Sequence, residues 1–239
     1  MILLERPTYS IESAINQLRE GRFVLLHDSD SRENEVDMVA AAEFTTEEHV
    51  RTMRTDAGGL VCVALGDEVG KSFGLPFLQD VFLTASKKYP LLRSLHEENA
   101  PYGGKSAFSI TVNNKETFTG ITDKDRSLTI ARLGEVAKMV NEDRENAHRT
   151  FASEFKTPGH VHLLLEAHDS LAGRRGHTEL SVFLCRLAGL APAAVICEML
   201  DGRSHNALST DDAMRYAESH SLPILNGQQL IEELHKQAS

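Results

Sequence analysis

Residues 28–37 read DSDSRENEVD. Five carboxylates (Asp28, Asp30, Glu33, Glu35 and Asp37) fall within those ten positions, with Arg32 among them. Like charges this close raise one another's pKa unless a cation or water screens them. Oxygen ligands at this density suit a hard divalent cation. The spacing is not that of an EF-hand, because glycine and glutamate are missing where that loop requires them. An isolated acidic run is also the ordinary signature of a solvated turn.

Three further places could carry chemistry. In PGHVH, Pro158 to His162, glycine precedes a histidine at the expected start of a strand. His160 could move a proton near neutral pH, or simply make one hydrogen bond at a strand edge. In GRRGHTE, Gly173 to Glu179, two arginines, a histidine and a threonine run into a helix start. Free backbone N–H groups and the helix dipole favour an anion there, and arginine grips phosphate through paired hydrogen bonds. A capped helix with exposed arginines is the alternative. Glu198 ends the apolar run AAVIC. A carboxylate there either pairs with a cation or carries a proton.

The whole chain narrows these options. Its 239 residues allow one large domain or two small ones, and 41% hydrophobic residues can fill a core. The 25 basic and 35 acidic residues give a net charge of −10, which disfavours a grip on nucleic-acid backbone. Tryptophan is absent and aromatics are 6%, so base stacking is not favoured. Cys62, Cys185 and Cys197 are too widely spaced for a zinc ribbon or disulfide framework, which fits a reducing cytoplasm. The start MILLERPTYS does not read as a signal peptide, and no run approaches the roughly 18 apolar residues of a membrane helix. Neither GxGxxG nor a P-loop is present.

The elements that must position these residues alternate between strand and helix. Ser10 caps a helix that Gly21 ends, and strands follow at Phe23–Leu26 and Met38–Ala42. Thr45 and Glu48 have capping-box spacing for a helix to about Arg54, and residues 60–65 form a strand. Residues 66–106 read as a short helix and a long loop, followed by a strand at Ala107–Val112. Ser127 caps a helix carrying Ile130, Leu133, Val136 and Val140, and the polar residues 141–157 read as a mobile loop. Strands at Val161–Leu165, Ala193–Cys197 and LPIL alternate with helices from His177 to Gly189, Ser209 to His220 and Leu230 to His235. The expectation is a single domain over 1–239, of α/β class (α+β type), with a mixed twisted sheet flanked by helices.

Taken together and in this order, RENEVD, TPGHVH, RRGHTE and ICE resemble the 3,4-dihydroxy-2-butanone 4-phosphate synthase family of riboflavin biosynthesis. The resemblance runs from GRFVLLHDSDSRENEVDMV to AGLAPAAVICEM, and includes YGGKSAFSITV and TGITDKDRS. No second catalytic domain follows, as in the single-function form. The resemblance implies a mixed-sheet homodimer that converts ribulose 5-phosphate into 3,4-dihydroxy-2-butanone 4-phosphate and formate, with magnesium or manganese. Carried over by motif, Glu33 and His177 would be the metal ligands, and both would also touch substrate. Arg32 and Asp37 would contact sugar hydroxyls or carbonyl. Arg174, Gly176 and Thr178 would hold the phosphate, with Arg175 adding charge or facing solvent. His160 and Glu198 would be the acid/base pair, Glu198 also touching substrate, and Asp28 and Glu35 would assist. His160 would reach the partner's site, so each site would draw on both chains.

Two positions depart from the family pattern: Val36 stands where RENEGD has glycine, and Arg175 where RGGHTE has glycine. The competing readings are a metal-dependent sugar-phosphate isomerase or aldolase, or a sugar-phosphate binding protein. The His160 and Glu198 pair argues against pure binding.

Overall fold

Runs of apolar residues too short for helices build the centre of the molecule. The structure, a computed structural model, describes residues 10–97 and 105–237. The N-terminal segment 1–9, read above against a signal peptide, and the breaker-rich stretch 98–104 lie outside the described residues.

Seven strands form one mixed sheet: β1 Val24–His27, β2 Val36–Ala41, β3 Cys62–Leu65, β4 Phe108–Asn114, β5 Phe155–Leu165, β6 Ala193–Glu198 and β7 Ile224–Asn226. Their order is β4-β5-β3-β6-β2-β1-β7. β3 pairs β5 and β1 pairs β7 in parallel, while the other neighbours are antiparallel. Burial on both sides explains why β1, β2 and β3 read as continuous apolar runs rather than alternating ones.

Alternation along each strand divides the core in two. Met38, Val63 and Val195 meet helices α2 (Glu47–Thr52), α3 (Asp67–Phe73), α6 (Asp123–Met139), α7 (Arg144–Glu154) and α10 (Thr210–His220). Val39, Cys62 and Ile196 meet α1 (Ile11–Arg19), α8 (Ser170–Gly173), α9 (His177–Leu187) and α11 (Gly227–Gln237) on the other face. Two short helices, α4 (Leu78–Ala85) and α5 (Leu91–Ser94), bury none of their residues.

Several expectations change. The cap of α2 is Thr46, not Thr45, because the His49 imidazole takes the place of the expected glutamate and accepts the Thr46 N–H at 3.2 Å. α6 starts one turn before Ser127, where the Thr122 hydroxyl accepts the Asp125 N–H at 3.1 Å. The described residues of 66–106 contain three helices (α3 to α5) rather than one. The polar stretch 141–157 is mostly helix α7: Asp143 caps it, and Ala147 and Phe151, one turn apart, are buried. Phe151 stacks between Phe73 and Phe155, with ring centroids 4.5 and 5.1 Å away. Those two apolar residues suffice to dock an otherwise charged helix.

β5 begins at Phe155, six residues earlier than expected, and with an irregularity that matters. The ladder to β4 jumps from Val112↔Val161 to Asn113↔Lys156, so residues 157–160 stand out as a bulge. A side chain on Gly159 would fall 1.9 Å from the Val112 carbonyl carbon, so only glycine fits this close crossing.

Candidate active site

The acidic loop between β1 and β2 is organised by its own first carboxylate. Asp28 Oδ2 accepts the Glu33 N–H at 3.0 Å, and Oδ1 accepts the Glu35 N–H at 3.2 Å. The Arg32 guanidinium donates to the same carboxylate at 3.2 Å and reaches Glu33 at 2.9 Å. This is an Asx-type closure: one buried side chain satisfies backbone donors that the turn would leave unpaired. The left-handed residue is Asn34, with φ 55°. Val36 is already regular strand, opposite His27. The family's glycine at that position is therefore not needed here for backbone reasons.

Register then places the next acids. Asp37 at the start of β2 lies opposite Glu198 at the end of β6. Glu198 Oε2 accepts the Leu60 N–H at 2.8 Å, which fixes the side chain at the sheet end. α9 starts beside them and delivers His177. Its Nε2 donates to the Glu35 carbonyl at 3.2 Å, and its Nδ1 lies 3.2 Å from Glu33 Oε2. Asp37 Oδ1 is 3.7 Å from Nε2 and has no hydrogen-bond partner, although it is buried.

The charges respond to this crowding. Burial pushes the Asp37 carboxyl up to about 7 against the pull of His177, with Glu198 and Glu33 adding to the rise. Burial works against charge on His177, yet Asp37, Glu33 and Asp28 raise it to about 9. Glu35 is raised by burial and by Glu33. Such a concentration of negative charge around one imidazole fits a divalent cation. One oxygen each from Asp28 and Glu33 and one His177 nitrogen lie within 4.8 Å of one another, and the orphaned Asp37 oxygen adjoins them.

Glu33, Glu35, Asp37, His177, Thr178, Arg174 and Glu198 all line one cavity of about 680 Å³. Asp28 and Arg32 do not line it: Asp28 is buried, and Arg32 is half-buried beside Glu33. Gly176 is the N-cap of α9, and a side chain on it would meet the Arg32 guanidinium at 2.8 Å. Arg175 is exposed and does not line the cavity. His160 does not join the cluster in its own chain. It is exposed on the β5 bulge, where its N–H donates to Asn113 Oδ1 at 2.8 Å.

Sequence reasoning missed the outer wall. Leu78, Phe82, Leu92 and Leu95, from α4 and the α5 region, line the same cavity as the acids. Their apolar spacing was hidden in a stretch full of proline and glycine. The carboxylate of Glu179, on the first turn of α9, was also passed over.

The family model described as 3,4-dihydroxy-2-butanone 4-phosphate synthase matches residues 12–233. The chain belongs to this synthase family. The synthase of Methanothermobacter thermautotrophicus is 49% identical over 222 residues, covering 93% of this chain and 94% of the relative. The Candida albicans synthase is 32% identical over 227 residues, covering 95% and 97%. A solved synthase structure in complex with two magnesium ions superposes with TM-score 0.75 at 30% identity, covering 95% of this chain and 97% of that one. The mixed sheet flanked by helices is thus the synthase fold, as the motifs implied.

Proposed function

We propose that this chain converts D-ribulose 5-phosphate into L-3,4-dihydroxy-2-butanone 4-phosphate and formate, as a lyase of riboflavin biosynthesis, with residues 1–239 acting as one catalytic domain in the cytoplasm. The observation that carries this reading is the shared cavity. The proton-moving Glu198, Glu33 and His177 of a cation-suited cluster, and Arg174 and Thr178 at an anion-suited helix start all line it. Among the described residues no helix is long and apolar enough to cross a membrane.

Glu33 and His177 would hold magnesium or manganese. His177 brings nitrogen to an oxygen-rich set, which suits manganese at least as well as magnesium. When bound, the cation would stabilise the negative charge left when a proton is lost beside the sugar ketone. Asp28 and Glu35 assist by shaping the loop, and Arg32 and Asp37 address the sugar hydroxyls or carbonyl. Arg174, Thr178 and the Gly176 turn hold the phosphate as a handle that positions the reacting carbons. Arg175, exposed at the same turn, adds positive charge nearby or faces solvent. Glu198 moves protons during dehydration and rearrangement.

His160 is the second proton carrier, and we assign it to the site of a second copy of the chain in a homodimer. Its exposed position on a bulge outside its own cavity supports that assignment. Neither nucleic acid nor membrane enters this scheme.

The deciding experiment incubates the metal-loaded protein with ribulose 5-phosphate and assays formate. Formate in step with sugar consumption supports the synthase reading. A sugar isomer or cleavage product without formate indicates an isomerase or aldolase, and an unconsumed sugar indicates a binding protein.

A further inference from the structure

Glu179 is fully buried in the first turn of α9, where an anion-binding helix start has no obvious use for a second negative charge. Its two oxygens answer the question. Oε1 accepts the Ala167 N–H at 3.0 Å and Oε2 accepts the Gly176 N–H at 3.2 Å. The same carboxylate thus clasps both ends of the 167–176 loop. Between those ends lies Arg174, whose Nε is 3.4 Å from Glu179 Oε2. The Arg174 Nη1 donates to the Lys105 carbonyl at 3.2 Å.

The clasp solves a geometric problem. Arg174 lines two adjoining cavities, the catalytic one and a smaller one of about 380 Å³ shared with Lys105 and His168. The catalytic cavity also holds Glu33, Glu35, Asp37 and Glu198, each a competing partner for a mobile guanidinium. An arginine left unheld would turn away into the second cavity or collapse onto those acids. A helix cap alone would not need a charged residue, since a neutral hydroxyl or amide serves. A fully buried carboxylate is retained where it is paired with a cation, and here that cation is Arg174.

We propose that Glu179 is a positioning residue that pins Arg174 at the wall of the catalytic cavity and so sets the affinity for the substrate's phosphate. The inference rests on the assignment of Arg174 to that phosphate. It adds a residue that never touches the sugar.

The test compares wild type, Glu179→Gln, Glu179→Asp, Arg174→Ala and the Glu179→Gln/Arg174→Ala double variant, all full-length and magnesium-loaded. Formate release gives KM and kcat, and inorganic phosphate serves as the competing anion. Glu179→Gln should raise KM and weaken phosphate inhibition by at least about tenfold, with kcat within about threefold. Glu179→Asp, which keeps the charge on a shorter arm, should fall between. In the Arg174→Ala background the Gln substitution should change KM by less than about twofold, because the residue it acts through is gone.

Multiplying effects in the double variant would overturn the inference. So would an unchanged KM, a kcat loss equal to the KM rise, or failure of both Glu179 variants to fold. If wild type releases no formate, the synthase reading fails separately. Thermal-shift titration with inorganic phosphate then judges the pin: weakening by Glu179→Gln only when Arg174 is present supports it, and any other pattern sinks it.

Discussion

Asp37 and Glu198 face each other across neighbouring antiparallel strands, and both open into the cavity. Like charges directly opposite in a sheet are destabilising. Burial raises the Asp37 carboxyl to about 7 against the pull of His177, and the facing Glu198 adds to the rise. Glu198, half-buried at the end of β6, is the less buried member of the pair.

Glu198→Gln should therefore fold normally, since an amide oxygen can still accept the Leu60 N–H. Its formate release should fall at least about a hundredfold, the usual scale of a lost acid/base group. Circular dichroism and the formate assay together check this. Retention of a tenth or more of the wild-type rate in a folded variant would remove Glu198 from proton transfer.

Metal removal should abolish turnover, and adding back magnesium or manganese should restore it. Glu33→Gln should stay folded, since Asp28 organises the loop through the residue-33 backbone, yet bind manganese at least about tenfold more weakly by calorimetry. Full activity in excess chelator would refute the assignment.

The shared-site arrangement has an arithmetic signature. His160→Ala and Glu33→Gln homodimers should each be nearly inactive. After subunit exchange about half of the dimers are mixed, each with one doubly damaged site and one intact site. Roughly a quarter of all sites should then recover, by the geometry of a two-fold interface. No recovery after demonstrated exchange would place His160 in its own chain's site.

Acid stability should depend on the clamp between α6 and the end of α7. Arg132 binds both oxygens of Glu154, at 2.6 and 2.8 Å. This pairing lowers the Glu154 pKa below its ordinary 4.5. A lowered carboxylate stabilises the fold above its unfolded pKa, and that contribution is lost as pH falls through the folded value. The pair is partly exposed, so Glu154→Gln should cost at most about 1 kcal/mol near neutral pH, or roughly 2–4 °C in Tm. The difference should narrow below pH 4.5, and thermal melts across pH would show it. A gap unchanged at pH 3 would contradict the clamp.

Some of this molecule was readable before any coordinates, for definite reasons. β6 and α9 were clear because an apolar run and a glycine-led helix start are local signals. The acids of the RENEVD loop were legible as a cluster, but not as a loop closed by Asp28, because that closure is a hydrogen-bond pattern rather than a composition. α7 was hidden because only Ala147 and Phe151 carry its packing, and their partners Phe73 and Phe155 come from elsewhere in the fold. The bulge at 157–160 depends on β4 as partner, so His160 could be named without its exposure being foreseen. The wall from α4 and α5 escaped because helices that bury nothing leave little periodic trace.

The closure of the RENEVD loop by Asp28 bears on how a mutational scan of this protein would be interpreted. Substitution at residue 28 would release the Glu33 and Glu35 amides and unfasten Arg32 together, so it would score as severely as loss of a ligand. Sensitivity to mutation and contact with the ion are therefore separate quantities here. A scan ranked by lost activity would place Asp28 beside Glu33, and direct ion titration of each variant, paired with its folding curve, would tell scaffold from ligand.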